Sequence, residues 1–598
     1  MADLTHDAIV RRGVAVPMAD GTVLRADLWL PAGGGRVPAL LQRTPYGRGD
    51  SGAAIAGAGL EPLKAVARGF AVVIQDVRGS GGSEGAFEPF AAEGDDGEAT
   101  IAWIAAQEWS DGRVCMYGGS YVGATQLLAA VRVPPPLAAV APQMTAAEYW
   151  EGWSHQGGAF QLGFAGFWAL GWLAPEALAR RLACGDPAAA QLASADPALA
   201  QRLADADPAA ARRLADRFAA LADDPDAALA RGPEALAAEL AELAPWLGEW
   251  LAHPTRDAYW QRWSIRDRYA RMTTPALHVA GWHDIFLAGT LANFSGLRAG
   301  AATAEARAGQ RLIVGPWTHA AFGDTLGERF LGRRAARAAL DLSRLQLDFF
   351  AAVLRGEQPP GAPVRLYTFG RDAWREEQEW PPAGMRVEAW GLEAGGGFAV
   401  PGAGAGALAE ADARGEGAAR DAGEAAPSVL HHDPADPVPA IAGATFLPGQ
   451  DVTLRSGPRD RRPNQARADV LVFESAPLTE PAELTGPLAA ELHVALDAAG
   501  GDLCVALSEL LPDGRALHVA DGIARVRAGE PGADGKQPAR VRVELGATSV
   551  ALPAGRRLRV EVAASCFPRF DVHPPRPARH LLFHSATRRS RVLLPFIP

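Results

Sequence analysis

The sequence has few of the residues that would define metal or redox chemistry directly. Only four cysteines occur in 598 residues, and Cys115, Cys184, Cys504 and Cys566 stand far apart. This spacing excludes the paired Cys or Cys/His motifs of zinc and redox sites. We interpret the four as buried thiols, and we expect neither a metal nor an organic cofactor.

The sequence also has no excess of positive charge and no long apolar segments. The formal net charge is −11, with acidic and basic residues interspersed, which argues against a nucleic-acid partner and suits a small-molecule substrate. The amino terminus has no apolar core followed by a small-residue cleavage site, and no apolar run is long enough to span a bilayer. We predict a cytoplasmic protein without a membrane partner. A homodimer is compatible with the sequence, which leaves the oligomeric state open.

The length predicts several domains, because single domains mostly contain roughly 100–200 residues. Strand patterns open the chain, and helices then alternate with buried strands, which indicates a parallel sheet with crossover helices. Asp-Pro pairs within an Ala- and Leu-rich stretch suit helix N-termini. We predict an α/β core over residues 1–146 and 262–358, a helical cap insertion over 147–261, and a β-sandwich over 359–598.

The segment GGSYVG at 118–123 is the strongest local motif. It follows a predicted buried strand and precedes a helical run, which is the context of a nucleophile elbow. Small residues permit a sharp turn, and the helix N-terminus supports a developing oxyanion. The usual pattern is G-x-S-x-G, whereas here Val122 occupies the last position and glycine follows it. An ordinary Gly-Ser turn is therefore the alternative to a nucleophilic Ser120.

A serine nucleophile needs a histidine base that a carboxylate holds in the right tautomer. His319 follows a predicted strand at 311–314, and Asp284 follows another at 277–280. Both lie at carboxyl ends of strands, where open α/β sheets place their sites, and the order Ser, Asp, His is the one expected. Considered on its own, Asp284 would be interpreted as a helix cap, and His319 as an ordinary loop histidine. His283 is the other candidate for the catalytic base. Together they predict the triad Ser120, Asp284 and His319.

Several stretches resemble the cocaine esterase (CocE/NonD) hydrolases, relatives of X-Pro dipeptidyl-peptidases and α-amino acid ester hydrolases. They are co-linear along nearly the whole chain, at residues 76–85, 109–114, 118–123, 281–284, 315–319, 457–460 and 565–570. The resemblance implies an α/β-hydrolase core with an inserted helical cap domain and a C-terminal β jelly-roll (galactose-binding-like) domain.

The resemblance also implies an oxyanion hole formed by the Tyr46 hydroxyl and the backbone N–H of Tyr121. Tyr46 ends the segment RTPY at 43–46, where the family has its tyrosine. On its own it would be interpreted as a half-buried aromatic at a strand end. A phenol is a suitable donor because it stabilises developing charge without carrying any.

The family lines its acyl pocket with aromatic residues from the cap, and Trp153, Trp168 and Phe286 fall at similar places. Ordinary core packing is the alternative for these three. The chain departs from the family where His283 replaces the tyrosine common before the catalytic aspartate. That histidine is placed to compete with His319 for Asp284.

The sequence therefore predicts a serine hydrolase that cleaves carboxylic esters, or related amides, through an acyl-enzyme. An X-Pro dipeptidyl-peptidase and an α-amino acid ester or β-lactam acyl hydrolase are alternatives. They require an acidic group near the acyl pocket for the substrate ammonium, with Glu84, Glu148 and Glu151 as candidates. A catalytically inert carbohydrate-binding or scaffold protein is the alternative of another class, and the intact triad argues against it.

Overall fold

A ten-stranded mixed sheet organises the first two thirds of the protein. The computed structural model describes residues 8–48, 59–175, 177–178, 216, 218–398, 426–447, 455–585 and 587–598. Its strands are β1 (Ala8–Pro17), β2 (Val23–Pro31), β3 (Val37–Thr44), β4 (Ala71–Asp76), β5 (Ser110–Gly119), β6 (Leu137–Gln143), β9 (Leu277–His283), β10 (Arg311–Thr318), β13 (Val364–Thr368) and β14 (Ala373–Glu377). They lie in the order β1-β2-β4-β3-β5-β6-β9-β10-β13-β14. The small hairpin of β11 (Thr325–Leu326) and β12 (Arg329–Phe330) follows β10 and lies outside this sheet.

The middle of this sheet is parallel, and its two edges are antiparallel. The ladder is parallel from β4 through β13, whereas β1, β2 and β14 pair antiparallel with their neighbours. Every residue of β4, β9 and β10 is buried. Such continuous burial arises because helices cover both faces of a parallel sheet. The arrangement agrees with the α/β-hydrolase type of core that the sequence predicts.

Helices flank this sheet at Pro62–Ala67, Glu93–Ala105, Tyr121–Val131, Leu287–Gly300, Ala304–Ala308, Arg337–Leu340 and Leu342–Leu354. The sequence predicts one helix over 335–354, but the structure has two. Asp341 separates them in a left-handed conformation (φ 50°), and its side chain accepts the N–H of Arg344 at the start of the second helix. None of the helices in the described parts of the chain is long and apolar enough to cross a membrane.

Short helices follow β6 and cover the carboxyl edge of the sheet. After the small hairpin of β7 (His155–Gln156) and β8 (Ala159–Phe160) they lie at Leu162–Trp168, Ala169–Leu173 (π), Pro225–Ala230, Pro233–Glu239, Trp246–Ala252, Ala258–Gln261 and Arg266–Arg271 (3-10). Asp224 caps the helix that begins at Pro225 by accepting the N–H of Ala227. This is the geometry that the Asp-Pro pairs predict. The other three pairs, at 186, 196 and 207, lie outside the described residues.

The last third contains two further sheets. One has the order β15-β25-β19-β24-β17, with β22 also paired to β19, and the other has the order β16-β18-β23-β20-β21. Apart from the parallel pair β16 and β18, the pairings are antiparallel. The strands are β15 (Arg386–Gly391), β16 (Gly397–Phe398), β17 (Ser428–His432), β18 (Leu471–Ser475), β19 (Ala482–Ala495), β20 (Gly500–Leu510), β21 (Ala516–Arg527), β22 (Ala539–Leu552), β23 (Arg557–Ala563), β24 (Ala578–Leu582) and β25 (Arg591–Ile597). Among the described residues of this third, a short helix lies at Arg462–Gln465.

The boundary between the two parts is less sharp than the sequence predicts. The strands β13 and β14 follow residue 358, yet they extend the first sheet through the pairing of β13 with β10. The Gly- and Ala-rich tract at 395–426, whose composition suggests strands joined by loops, lies outside the described residues except for 395–398 and 426.

Two of the segments that resemble the hydrolase family lie where the C-terminal part contacts the core and the cap. The N–H of Glu328 donates to the Pro458 carbonyl at 2.9 Å, and the N–H of Gly163 donates to the Arg569 carbonyl at 3.2 Å. A Cβ at Gly327 would lie 2.5 Å from the Pro458 oxygen. Close packing of backbones therefore joins the C-terminal part to the loop after β10 and to the cap.

The cysteines differ in burial. Cys115 is buried, as the sequence predicts, whereas Cys504 and Cys566 are partly exposed when the whole residue is considered. The thiols of these two are nevertheless shielded from water, because burial raises the pKa of both. Cys184 lies outside the described residues. Burial raises the pKa of the Cys566 thiol to about 11. A thiol with so high a pKa is a weak nucleophile at neutral pH.

Candidate active site

Ser120 lies on a strained turn between β5 and the helix Tyr121–Val131. Its backbone has φ 59° and ψ −126°, and its N–H donates to the Gln143 carbonyl at 2.9 Å. A left-handed conformation at a non-glycine residue is costly and typical of functional turns. The turn holds the hydroxyl at the wall of a cavity, as a nucleophile elbow does.

Two glycines explain how this turn is formed without the usual last glycine of the elbow. Gly118 has φ 133°, and a Cβ there would lie 2.2 Å from Val122 Cγ1. A Cβ at Gly123 would lie 2.9 Å from Thr145 Cβ and 3.1 Å from the Gln143 oxygen. The close approach of the helix to the end of β6 therefore requires glycine at 123, while Val122 lines the cavity.

The structure brings Ser120, His319 and Asp284 together. Ser120 Oγ lies 3.1 Å from His319 Nε2, and His319 Nδ1 lies 3.1 Å from Asp284 Oδ1. Asp284 is buried and also accepts the N–H of Phe286 at 2.7 Å. With the imidazole proton on Nδ1, Nε2 is free to accept the serine proton. The three side chains come from the ends of β5, β9 and β10, which are close in the sheet.

Tyr46 completes this group from the loop after β3. Its hydroxyl accepts a hydrogen bond from Trp168 Nε1 at 3.1 Å and also interacts with Ser120. Burial raises the pKa of the phenol above its usual range, against the opposing effect of these two hydrogen bonds. The phenol is therefore protonated at neutral pH. Because Trp168 donates to its oxygen, Tyr46 keeps its own O–H for a group at Ser120.

Tyr121 contributes to the site through its backbone, because its side chain points into the interior. The Tyr121 hydroxyl accepts the N–H of Phe90 at 2.9 Å and donates to Glu93 at 2.8 Å. Glu93 also accepts from Arg43 at 2.8 Å, and all of these side chains are buried. The backbone N–H of Tyr121 is at the first residue of the helix, which is where an oxyanion donor is expected.

A cavity of about 360 Å³ opens beside Ser120 and His319. Trp168 is part of its wall, but Trp153 and Phe286 are not. Trp153 stacks on Phe286 at 4.4 Å between ring centroids, and both are fully buried behind the wall. Phe286 also meets the His319 ring edge-on at 5.2 Å. Trp153 and Phe286 are therefore core residues behind the cavity wall, and Phe286 packs against His319.

His283 does not compete with His319 for Asp284. Its ring lies 5.5 Å from Phe369 and 5.5 Å from His518, on the side of the C-terminal sheets. Burial lowers the pKa of His283 to about 3. Adjacent residues at the end of a strand point to opposite faces, so His283 faces away while Asp284 faces His319.

Several residues of the cavity wall lie outside the set that the sequence predicts. The aromatic ones are Phe164, Phe167, Trp172, Phe322 and Phe446, and one cationic residue, Arg337, joins them. Phe446 comes from the C-terminal part and meets the His319 ring edge-on at 5.0 Å. No local pattern identifies such a residue, because only the packing of distant segments brings it to the site.

Known proteins resemble this chain over nearly its whole length. The X-Pro dipeptidyl-peptidase (S15 family) profile matches residues 20–321, and the profile of the X-Pro dipeptidyl-peptidase C-terminal non-catalytic domain matches residues 357–593. The cocaine esterase of Rhodococcus sp. (strain MB1 Bresler) is 34% identical over 576 residues, which cover 94% of this chain and 92% of that protein.

Solved structures share the fold at lower sequence identity. An aminopeptidase from a Thaumarchaeota archaeon superimposes with a TM-score of 0.75 at 22% identity, and an α-amino acid ester hydrolase does so with 0.74 at 22%. In both cases the match covers 100% of this chain and 98% of the other. The chain therefore belongs to the X-Pro dipeptidyl-peptidase (S15) family, and it is a hydrolase.

Proposed function

We propose that the protein hydrolyses small-molecule carboxylic esters through an acyl-enzyme on Ser120. His319 takes the serine proton as Ser120 attacks the acyl carbon, and Asp284 holds the imidazole and stabilises its charged form. The Tyr46 hydroxyl and the Tyr121 N–H stabilise the oxyanion of the tetrahedral intermediate. The alcohol leaves with a proton from His319, and water, activated by the same histidine, then releases the acid.

The observation that carries the proposal is the continuous set of contacts from Asp284 through His319 to Ser120. Its two distances of 3.1 Å are within the range for proton transfer between a nucleophile and its base. The protonated Tyr46 phenol beside Ser120 adds the donor that an oxyanion requires. An inert scaffold has no need of this arrangement.

A peptidase or amino-ester hydrolase is the second candidate, and the family profile is its support. The three acidic residues suggested for ammonium binding have other partners. Glu148 pairs with Arg256 at 2.5 Å, Glu151 accepts the N–H of Gly157 through both oxygens at 3.1 Å, and Glu84 accepts the N–H of Val23 at 2.9 Å. Within the described residues, no carboxylate lines the cavity. This favours an ester without an ammonium group.

For the domains we propose the division into a core over 1–146 and 262–358, a cap over 147–261 and a C-terminal domain over 359–598. Strands β13 and β14 follow residue 358 but add to the sheet of the core. The run of short helices between β8 and β9 supports the cap, and the start of the C-terminal family profile at 357 supports the last boundary. The two mostly antiparallel sheets of the C-terminal part support a jelly roll of the galactose-binding type.

The experiment measures hydrolysis of p-nitrophenyl acyl esters by the wild type and by Ser120→Ala. Gly-Pro and Ala-Pro 4-nitroanilides are run in parallel, and Ser154→Ala is the matched control because Ser154 is a buried serine outside the cavity wall. We expect Ser120→Ala to lose at least about 10³-fold in kcat/KM and Ser154→Ala to keep its activity. Equal rates for the wild type and Ser120→Ala would refute the mechanism.

The ratio of ester to anilide turnover separates the two candidates. An esterase is expected to favour the esters strongly, whereas a dipeptidyl-peptidase is expected to cleave the Xaa-Pro anilides efficiently. Efficient anilide cleavage that depends on Ser120 would retain the nucleophile and replace the ester reaction by the peptidase reaction.

A further inference from the structure

A buried glutamine lies next to the turn that carries Ser120. Gln126 is in the helix Tyr121–Val131 and is fully buried. It takes no part in the chemistry proposed above, and it does not line the catalytic cavity. A primary amide is costly to bury unless its donors and its acceptor find partners. The partners of this amide are therefore informative.

The Gln126 amide nitrogen donates to two backbone carbonyls, one on each side of Ser120. Nε2 lies 2.9 Å from the Gly118 oxygen and 3.0 Å from the Val122 oxygen. Gly118 is two residues before the serine, and Val122 is two residues after it. Both N–H groups of the amide are thus used by the turn itself, and they tie the end of β5 to the first turn of the helix.

The amide oxygen of Gln126 connects the same turn to the neighbouring strand β6. It accepts the N–H of Ala141 at 3.0 Å. The strands β5 and β6 pair in parallel here, and the N–H of Ser120 donates to the Gln143 carbonyl at 2.9 Å. The Gln126 amide and the Gln143 carbonyl therefore hold the elbow to β6 at two points.

The backbone conformation of Ser120 requires such support. A non-glycine residue with φ 59° is in a sparsely populated region, and this conformation persists only where neighbouring contacts hold it. The usual last glycine of the elbow is replaced by Val122, whose Cγ1 would lie 2.2 Å from a Cβ at Gly118. Gln126 holds the carbonyls of these same two residues, so it fixes the spacing across which the turn is formed.

We propose that Gln126 is a positioning residue for the nucleophile, and that its amide sets the place of Ser120 Oγ relative to His319 and to the oxyanion donors. The proposal rests on the ester hydrolysis proposed above and names the residue that keeps the elbow of that site in its reactive geometry. Gln126 acts through the backbone on both sides of Ser120. Because a displacement of about 1 Å at a reacting atom lowers a rate by about 10²-fold, a residue behind the cavity wall can control turnover.

Gln310 offers a matched control, because it is buried in the same way but away from the site. It is fully buried, and its Nε2 donates to the Ala306 carbonyl at 2.7 Å and to the Thr274 carbonyl at 3.3 Å. Its Oε1 lies 2.9 Å from His278 Nε2. Gln310 precedes β10, at the end of that strand opposite to the triad. Gln126→Met and Gln310→Met therefore remove comparable sets of buried hydrogen bonds, but the first set belongs to the elbow.

The test compares the wild type, Gln126→Met and Gln310→Met in turnover and in binding of a tetrahedral adduct. The substrate is p-nitrophenyl butyrate, and the adduct is formed by propylboronic acid. Its boron takes an electron pair from Ser120 Oγ while the serine proton passes to His319, and no group leaves. The inhibition constant of the boronic acid therefore depends on where Oγ lies. Thermal unfolding measures the stability of each variant.

We expect Gln126→Met to lower kcat by about 10- to 100-fold and to change KM by less than about threefold. Its inhibition constant for propylboronic acid is expected to rise by at least about tenfold. Gln310→Met is expected to unfold at a lower temperature as well, but to keep kcat and the inhibition constant within about threefold. Equal losses of kcat in the two variants, or a wild-type kcat in Gln126→Met, would overturn the proposal while ester hydrolysis stands.

Gln126→Glu keeps the test decisive if Gln126→Met does not fold. A buried neutral carboxyl retains one donor and one acceptor, so one of the two carbonyls loses its partner and kcat is expected to fall by about three- to tenfold. A wild-type kcat in this variant would also overturn the proposal.

If the wild type hydrolyses no ester, amide hydrogen exchange still decides. Exchange at residues 118–123 is expected to be at least about tenfold faster in the folded Gln126 variant than in the wild type, and unchanged in Gln310→Met. Equal exchange in all of these proteins would refute the positioning role independently of turnover.

Discussion

Trp168 donates a hydrogen bond from its indole N–H to the Tyr46 hydroxyl, at 3.1 Å, and so connects the helical cap to the oxyanion side of the site. The indole fixes which lone pair of the phenol is used and leaves the phenol O–H for Ser120 or for an oxyanion. Trp172 contacts the same phenol ring edge-on at 5.2 Å. The two tryptophans thus contact Tyr46 in different ways.

This difference predicts different kinetic effects for two similar substitutions. Trp168→Phe removes the donor to Tyr46 and is expected to lower kcat by about tenfold, since the loss of an orienting hydrogen bond costs about 1–1.5 kcal/mol. Trp172→Phe keeps an aromatic ring and is expected to change mainly KM. Tyr46→Phe is expected to lower kcat by about 10²- to 10³-fold, as for other oxyanion donors. Steady-state kinetics with one p-nitrophenyl ester measures all three, and equal kcat for the two tryptophan variants would contradict the orienting role.

Asp284 is expected to act through the tautomer of His319. Asp284→Asn is expected to lower kcat by about 10⁴-fold, because the amide favours the imidazole proton on the wrong nitrogen. His283→Gln, at the neighbouring position, is expected to leave kcat within about threefold, since His283 faces away from the site. A comparable loss in both variants would show that His283 participates after all.

Gly123 is packed so closely that adding a single methyl group there is expected to lower the free energy of unfolding. Gly123→Ala places a Cβ about 3 Å from Thr145 and from the Gln143 oxygen, and such overpacking costs on the order of 1–3 kcal/mol. Gly248→Ala is the control, because it lies in the exposed middle of the helix Trp246–Ala252 with open space at its Cβ. There the change is expected to stabilise by up to about 1 kcal/mol. Thermal unfolding of the two variants should therefore shift in opposite directions.

The buried ion pair of Arg43 and Glu93 joins the two sides of the oxyanion hole. Arg43 is three residues before Tyr46, and Glu93 accepts the Tyr121 hydroxyl. Glu93→Ala leaves the guanidinium without its main partner and is expected to destabilise by about 3–5 kcal/mol. Removing an exposed pair member in Glu61→Ala is expected to cost less than about 1 kcal/mol. Similar unfolding midpoints for both variants would show that the buried pair of Arg43 and Glu93 stabilises the fold no more than an exposed pair does.

The sequence predicts the parts of the site that local patterns define. Ser120 is recognised by a strand, a turn and a helix in succession, and Asp284 and His319 by their places after buried strands. Residues that reach the site through packing between distant segments, such as Phe446 and Arg337, have no local pattern of this kind. The sequence places Trp153 at the pocket because large apolar residues of a cap look alike in sequence, whether they line a cavity or lie one layer behind it.

The same limit applies to the sheets. The strands β13 and β14 have the short pattern that characterises the C-terminal strands, yet they pair with the first sheet. A period of two residues identifies a strand but not its neighbour. The partner is decided by which edge remains open after the core has formed, and the pairing of β10 with β13 is not encoded within either segment alone.

His283 is buried and neutral in the folded protein, so we expect acid to destabilise the protein. The pKa of His283 is lowered to about 3, mainly by burial, with His518 and Arg329 adding to the effect and Asp521 opposing it. Between pH 6.5 and pH 3 the unfolded chain binds a proton at this position that the folded protein does not bind. Stability therefore falls as the pH is lowered through this window, by about 1.4 kcal/mol for each pH unit.

The measurement is the unfolding midpoint of the wild type and of His283→Gln at several pH values from 7.5 to about 4.5. The variant cannot bind this proton, so its midpoint is expected to fall less steeply below pH 6.5, with a difference that reaches about 2–3 kcal/mol at about pH 4.5. His431→Gln is the control, because His431 is exposed, and its curve is expected to parallel that of the wild type. Parallel curves for all three proteins would mean that His283 accepts a proton in the folded state as readily as in the unfolded chain, and burial at the sheet interface would then not keep it neutral.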